Sequence, residues 1–100
     1  IEKRETIAEG ISSALPVRGR EILAAIRKTG GEMLAVDEEE IKRGFYDLAK
    51  AGLYVEPTSA VVAAALAKLE GQGKLLTSET TVAFLSGSGL KATDKILHLK

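Results

Sequence analysis

The chain has 100 residues, 45% of them hydrophobic, and its 14 lysines and arginines balance its 14 aspartates and glutamates. This length allows one small domain, and the neutral, interleaved charge predicts no nucleic-acid or other polyanionic partner. The absence of cysteine excludes disulfides and thiolate metal sites and fits a reducing cytoplasm. The longest nearly apolar run, residues 60–67, is far shorter than the roughly 20 residues that cross a bilayer, so no membrane anchor is expected.

The first elements in chain order are a loop, a helix and a strand. Glycine, serine and proline interrupt residues 1–19, which predicts irregular structure. Residues 21–28 place apolar side chains on one side of a helix, and the Gly30-Gly31 pair after it is a typical helix stop. The short apolar run 33–36 predicts a strand buried on both faces.

A second helix follows directly. Asp37 and Glu40 have the spacing of a capping box, in which each side chain accepts a backbone N–H of the new helix. Ile41, Phe45 and Leu48 then recur at helical spacing and predict one buried stripe. The helix should end near residue 52, which is a glycine.

The second half repeats the alternation of strand and helix. Residues 53–55 are a second candidate strand, and Pro57 fits the first turn of a third helix. That helix is apolar nearly all round over residues 60–69, so we expect it to be covered on more than one side. Residues 80–85 read as a third strand that ends in the sequence SGSG, residues 86–89.

This alternation predicts an α/β fold with a small parallel or mixed sheet flanked by helices in three layers. The whole chain, residues 1–100, reads as one unit, and residues 92–100 form a tail without a clear structural pattern. The chain begins with isoleucine rather than methionine or a signal peptide, which suggests a processed or excised end.

The first candidate site is the SGSG sequence. It follows the carboxyl end of a predicted strand, where open α/β sheets place ligands. The hydroxyl of Ser86 could donate to a ring nitrogen or accept from a ligand, and glycine lets a ligand approach the backbone. A simple glycine turn is the alternative.

The second candidate site is the start of the third helix. Glu56, Thr58 and Ser59 lie at a helix N-terminus, where backbone N–H groups and the helix dipole favour anions. These side chains could equally serve only to cap the helix. Glu9, beside Gly10 in irregular chain, is a further carboxylate that says little by itself.

The remaining charged residues predict no chemistry. Glu38, Glu39 and Glu40 read as a solvated helix start, because consecutive helical residues do not face one point and cannot hold a metal together. His98 has no visible acid partner and is expected at the surface. No nucleophile elbow, phosphate-binding lysine loop or zinc spacing occurs.

Taken together, the segments of the chain resemble the carboxy-terminal part of the threonine synthases, in order and in spacing. The likeness extends from about Thr6 to Lys91, and it rests on TIAEG at 6–10, GGE at 30–32, VDEEEI at 36–41, GLYVEPTSA at 52–60 and LSGSGLK at 85–91. Threonine synthases belong to the tryptophan-synthase β-like group, which are fold-type-II pyridoxal phosphate enzymes. The resemblance therefore implies a lyase that converts O-phospho-L-homoserine and water to L-threonine and phosphate.

The resemblance also implies roles for individual residues. In that group a hydroxyl at the position of Ser86 hydrogen-bonds the pyridine nitrogen of the cofactor, which acts as the electron sink. The stretch matching residues 8–10 borders the cofactor ring, and the stretch matching residues 56–59 lies nearby. The implied cofactor-binding residues are thus Ser86, Ala8, Glu9 and Gly10, with Glu56, Thr58 and Ser59 in the vicinity of the ring and substrate.

No segment of this chain matches the group's Schiff-base lysine or its glycine-rich phosphate loop, both of which lie upstream in relatives. Lys91 belongs to the terminal motif and is not that lysine. The resemblance therefore implies no catalytic residue in this chain, and a fragment that is inactive alone. Its partners would be the missing N-terminal part of the same enzyme, a small-molecule substrate, and a second copy through homo-oligomerisation or through the exposed cut surface.

Two alternatives stay open. Threonine synthases often have threonine at the position of Ser86 and histidine at that of Ser88, and serine at the first position is common in the related threonine and serine dehydratases. The dehydratase terminal pattern, serine-glycine-glycine-asparagine, fits residues 87–91 poorly. A free-standing α/β module that binds a ligand or a partner without catalysis is the alternative from another class.

Overall fold

A computed structural model describes residues 2–99 of the chain. Its α-helices are α1 (Gly19–Thr29), α2 (Glu38–Lys50), α3 (Pro57–Gly71) and α4 (Thr93–Leu97), with short 3-10 helices at Glu9–Ile11 and Gly89–Ala92. The three long helices lie where the sequence predicts them. No helix in this part of the chain is long and apolar enough to cross a membrane.

The predicted capping box at the start of α2 is confirmed. The backbone N–H of Glu40 donates to Asp37 Oδ1 at 2.8 Å, and that of Asp37 donates to Glu40 Oε2 at 2.8 Å. The predicted apolar stripe of α2 is confirmed at Ile41 and Phe45, which are buried with exposures of 4% and 5%. A fixed helix start therefore aims the apolar face of α2 at the core.

Helices α2 and α3 approach each other closely at Gly44. A Cβ at this position would lie 2.8 Å from the carbonyl oxygen of Ala60 and 2.8 Å from the amide nitrogen of Ala64. Both alanines are buried, so α3 packs closely on this face, but they are the only buried residues within 60–69, and the predicted cover on more than one side is not found among the described residues. The small residues at the crossing let the two backbones touch, so the pair forms the centre of the fold.

Helix α1 forms as predicted but packs little. It ends at Gly30, whose φ of 67° lies in the left-handed region that favours glycine. The helix has no buried residue, and Ile22 and Leu23 remain 46% and 41% exposed. Among the described residues, no surface covers the apolar side of α1 well enough to bury it.

The predicted sheet is not confirmed. Residues 33–36 and 80–85 form no strand, and residues 53–55 contribute only an isolated antiparallel bridge between Val55 and Ser88. A strand needs a neighbour to pair its backbone, and the part of the chain described by the structure supplies one only at this bridge. An apolar run predicts that a segment will be buried. A strand is defined by hydrogen bonds to a neighbouring strand, and an apolar run does not predict that neighbour.

The tail, residues 92–100, has no clear structural pattern in its sequence, and its described part folds back onto α2. It contains α4, followed by Leu99, which is buried at 5% exposure. The hydroxyl of Tyr46 donates to the carbonyl oxygen of Leu99 at 3.3 Å. His98 is exposed, as expected. The core formed by this folding consists of Ala8, Ile41, Phe45, Val55, Ala60 and Leu99.

Candidate functional site

The two candidate sites meet at the N-terminus of α3. The backbone N–H of Gly87 donates to Ser59 Oγ at 2.9 Å, and the backbone N–H of Glu56 donates to the Gly87 carbonyl oxygen at 3.0 Å. Ser86 Oγ lies 3.5 Å from Ser59 Oγ, at the outer limit of hydrogen-bond distance. Ser59 is only 2% exposed. Its hydroxyl therefore fixes the loop that presents Ser86, and Ser86 itself is exposed.

The glycines of the SGSG loop make room for protein side chains. A Cβ on Gly87 would overlap the carboxylate of Glu56, and one on Gly89 would lie 2.5 Å from the ring of Tyr54. The backbone N–H of Gly89 also donates to the Tyr54 carbonyl oxygen at 3.1 Å. The sequence suggested that these glycines admit a ligand, whereas the structure shows that they admit Glu56 and Tyr54.

Residues 8–10 join the same region. The backbone N–H of Gly10 donates to Thr58 Oγ1 at 3.1 Å, although the two residues are far apart in sequence. Ala8 is 1% exposed and belongs to the core. The carboxylate of Glu9 forms an ion pair with Lys95 of α4. The structure thus links residues 8–10 to the start of α3 through Gly10, while the Glu9 carboxylate is engaged with the tail.

Glu38 is the residue whose role the sequence missed. The pattern predicted a solvated helix start, but the Glu38 carboxylate contacts the Thr6 hydroxyl and accepts the backbone N–H of Ile7 at 3.0 Å. The backbone N–H of Ala8 in turn donates to Thr6 Oγ1 at 3.1 Å. Periodicity could not have revealed this contact, because it joins a helix start to a loop that has no regular pattern.

Glu40 also differs from the predicted solvated residue. Lys68 of α3 donates to Glu40 Oε2 at 3.1 Å and to the Ala35 carbonyl oxygen at 2.8 Å. The hydrogen bond from the Asp37 amide, together with that from Lys68, lowers the pKa of Glu40. The charged form of Glu40 is therefore favoured, and it ties the start of α2 to α3.

Glu39 alone behaves as predicted. Its side chain is 75% exposed and accepts from Lys42 at 2.9 Å on the solvent side of the helix. This hydrogen bond raises the pKa of Lys42. Three consecutive glutamates thus have three different partners, as expected for residues that point in different directions around a helix.

An open groove of about 690 Å³ has Arg4, Thr6, Glu9, Glu38 and Lys95 among its lining residues. Ser59 and Ser86 do not line this groove. A ligand that contacts Ser86 would therefore lie outside it. Within residues 2–99, no group of histidine and carboxylate side chains is arranged to hold a metal ion.

Comparison with known proteins gives the class of this chain. The model of the family "Pyridoxal-phosphate dependent enzyme" matches residues 1–87, so the chain belongs to that family, whose members depend on pyridoxal phosphate. Its relatives by sequence include threonine synthases, which confirms the resemblance described above.

The relatives also show how much of an enzyme the chain represents. It is 38% identical to the threonine synthase of Methanosarcina acetivorans over 98% of the chain and 24% of the relative. It is 42% identical to that of Methanocaldococcus jannaschii over 94% of the chain and 24% of the relative. With the threonine synthase of Bacillus sp. strain ULM1 it shares 38% identity over 94% of the chain and 27% of the relative. The chain thus spans about a quarter of the length of these relatives.

Proposed function

We propose that this chain is the carboxy-terminal part of a threonine synthase. The whole enzyme would be a lyase of fold type II that converts O-phospho-L-homoserine and water to L-threonine and phosphate. Support comes from the family match over residues 1–87 and from threonine synthases that align with nearly the whole chain. The α/β sheet expected of such an enzyme would form when the residues 33–36 and 80–85 find partner strands elsewhere in the protein.

The observation that carries the proposal is the Ser59–Gly87–Ser86 junction. Ser59 Oγ holds the Gly87 amide at 2.9 Å, and this contact fixes the backbone next to Ser86. Ser86 presents an exposed, neutral hydroxyl that can donate to an unprotonated pyridine nitrogen without adding charge. This donor suits the ring of pyridoxal phosphate, which supplies the electron sink of the reaction when it is bound.

The other proposed binding residues are linked to this junction through the start of α3. Ala8, Glu9 and Gly10 would border the cofactor ring, and Gly10 is held by Thr58 at 3.1 Å. Glu56 lies against Gly87 and would limit how closely a ligand approaches the loop from that side. The role of these residues is to bind and orient, because a cofactor held in one pose needs a fixed border.

We assign no catalytic residue to this chain. The Schiff-base lysine and the phosphate-binding loop would come from the N-terminal remainder of the enzyme, so the 100-residue chain alone would be inactive. The remainder would also cover the apolar side of α1 and residues such as Phe84, which is 78% exposed. Without that cover the isolated chain should self-associate, since exposed apolar patches beyond roughly 300–600 Å² are rare on monomers.

The whole enzyme is expected in the cytoplasm as a homo-oligomer that acts on a small-molecule substrate, without nucleic-acid or membrane partners. The test uses the complete natural protein that contains this chain, loaded with pyridoxal phosphate. Incubation with O-phospho-L-homoserine should release phosphate and L-threonine in equal amounts. Formation of a 2-oxo acid and ammonia from threonine, with no phosphate release, would instead identify the dehydratase alternative. Failure to bind the cofactor at all would favour a non-catalytic module.

A further inference from the structure

We propose that Glu38 is a positioning residue that holds residues 8–10 in place against the cofactor ring. This inference rests on the proposed function, which places residues 8–10 at the border of the ring. Glu38 would not touch the cofactor. It would act through Thr6 and Ile7, which immediately precede the border.

The first step of the argument is the set of contacts. The Glu38 carboxylate contacts the Thr6 hydroxyl through Oε1 and accepts the Ile7 amide through Oε2 at 3.0 Å. The Thr6 hydroxyl oxygen then accepts the amide of Ala8 at 3.1 Å. One carboxylate thereby fixes a consecutive run of backbone that ends at the buried Ala8.

The second step is the chemistry of the side chain. The Thr6 hydroxyl accepts the Ala8 amide and donates its proton to Glu38, and the Ile7 amide is a second donor to the same carboxylate. Two donors need two acceptors, and a carboxylate provides both. A glutamine in its place keeps one acceptor for the Ile7 amide, but it faces Thr6 with an N–H, so the hydroxyl must turn its proton away, and both contacts lose the negative charge that strengthens them.

The third step is the rigidity of the support. Glu38 is the first residue of α2, a helix whose start is fixed by the capping box and whose middle touches α3 at Gly44. The other end of the border, Gly10, is held by Thr58 of α3. Residues 8–10 are therefore anchored at one end to α2 and at the other end to α3, two helices that pack directly against each other. Loss of the Glu38 anchor should loosen one end while Thr58 still holds the other.

The experiment compares Glu38→Gln with Glu39→Gln in the complete protein. Glu39 carries the same charge one residue away. Its side chain is 75% exposed, and its carboxylate pairs with Lys42 on the solvent side of α2. The measurements are the dissociation constant of pyridoxal phosphate, by titration of the apoenzyme, and the absorbance spectrum of the bound cofactor. We expect Glu38→Gln to weaken cofactor binding by about tenfold and to shift the absorbance band, because both contacts lose the charge of the carboxylate and the Thr6 hydroxyl must reorient. Glu39→Gln should bind the cofactor like the parent protein.

A second variant, Thr6→Val, breaks the same link from the loop side and leaves the start of α2 intact. It should also weaken cofactor binding, and adding Glu38→Gln to it should cost less than Glu38→Gln costs in the parent protein, because the Thr6–Glu38 contact is already gone. Unaltered cofactor affinity in Thr6→Val, or equal losses in Glu38→Gln and Glu39→Gln, would overturn the proposal. Product analysis of the parent enzyme tests the proposed reaction separately, so a protein that binds the cofactor but makes no threonine would refute the function and not the anchor.

Discussion

Helices α2 and α3 differ sharply from α1 and residues 80–85, although all four regions have apolar patterns. In the first pair, Ile41, Phe45 and Ala60 are at most 5% exposed. In the second group, Ile22 is 46% exposed and Val82 is 85% exposed. The first pair finds its packing partners inside the described chain, whereas the second group does not. An apolar pattern therefore indicates that a surface will be covered, and it does not say which part of a protein covers it.

The largest expected effect is the loss of folding stability when one phenylalanine in each of the two regions is replaced by alanine. In the complete protein, Phe45→Ala should lower the free energy of unfolding by about 3–5 kcal/mol, the usual cost of removing a buried aromatic side chain. If the rest of the enzyme covers residues 80–85, Phe84→Ala should also cost more than about 2 kcal/mol, despite the 78% exposure of Phe84 here. Denaturant unfolding measures both changes. A negligible cost for Phe84→Ala would show that this surface stays uncovered and would break the comparison.

The next effect concerns the contact that makes the α2–α3 pair compact. Gly44→Ala should destabilise the complete protein by about 1–3 kcal/mol, although alanine is the better helix former, because the new Cβ meets backbone atoms of α3. Gly71→Ala is the matched control, since a Cβ at the end of α3 meets nothing within 4 Å. Thermal unfolding midpoints would report the difference. Equal midpoints for the two variants would mean that the helices are not in contact at Gly44.

The smallest expected effect is the pH dependence of the contact between Glu40 of α2 and Lys68 of α3. The pKa of Glu40 is lowered in the folded protein, so its hydrogen bonds contribute stability at neutral pH, and this contribution is lost as the pH falls through the lowered pKa. Glu40→Gln should therefore be less stable than the parent protein at neutral pH, and the gap should narrow on acidification. Unfolding curves recorded from pH 7 downward test this sign. A gap that stays constant with pH would contradict it.

The sequence predicted the local elements better than the contacts between them. The capping box of Asp37 and Glu40, the helix stop at Gly30 and the stripe of Ile41 and Phe45 all depend on residues close in sequence, and all are confirmed. The strands could not be predicted in the same way, because pairing depends on a partner that the pattern does not contain.

The candidate site shows the same division. The family resemblance pointed to both Ser59 and Ser86. Ser59 was also marked by its place at a helix N-terminus and Ser86 by its place after a predicted strand, and the structure brings their hydroxyls to 3.5 Å. The anchoring of residues 6–8 by Glu38 was missed, because a glutamate at a helix start is by default a solvated residue. Such a contact becomes visible only when an irregular loop is placed in space.

The most direct test of the account is the turnover of the complete, cofactor-loaded protein after Ser86→Ala, Ser86→Thr and Ser88→Ala. Ser86→Ala should lower kcat by about 10–100-fold, since it removes the hydroxyl proposed to contact the ring nitrogen. Ser86→Thr retains that hydroxyl and should stay close to the parent rate. Ser88, whose hydroxyl accepts the Leu90 amide at 3.3 Å, should tolerate alanine with little change in kcat. An unchanged rate in Ser86→Ala, or equal losses in Ser86→Ala and Ser88→Ala, would contradict the assignment of Ser86 to the cofactor.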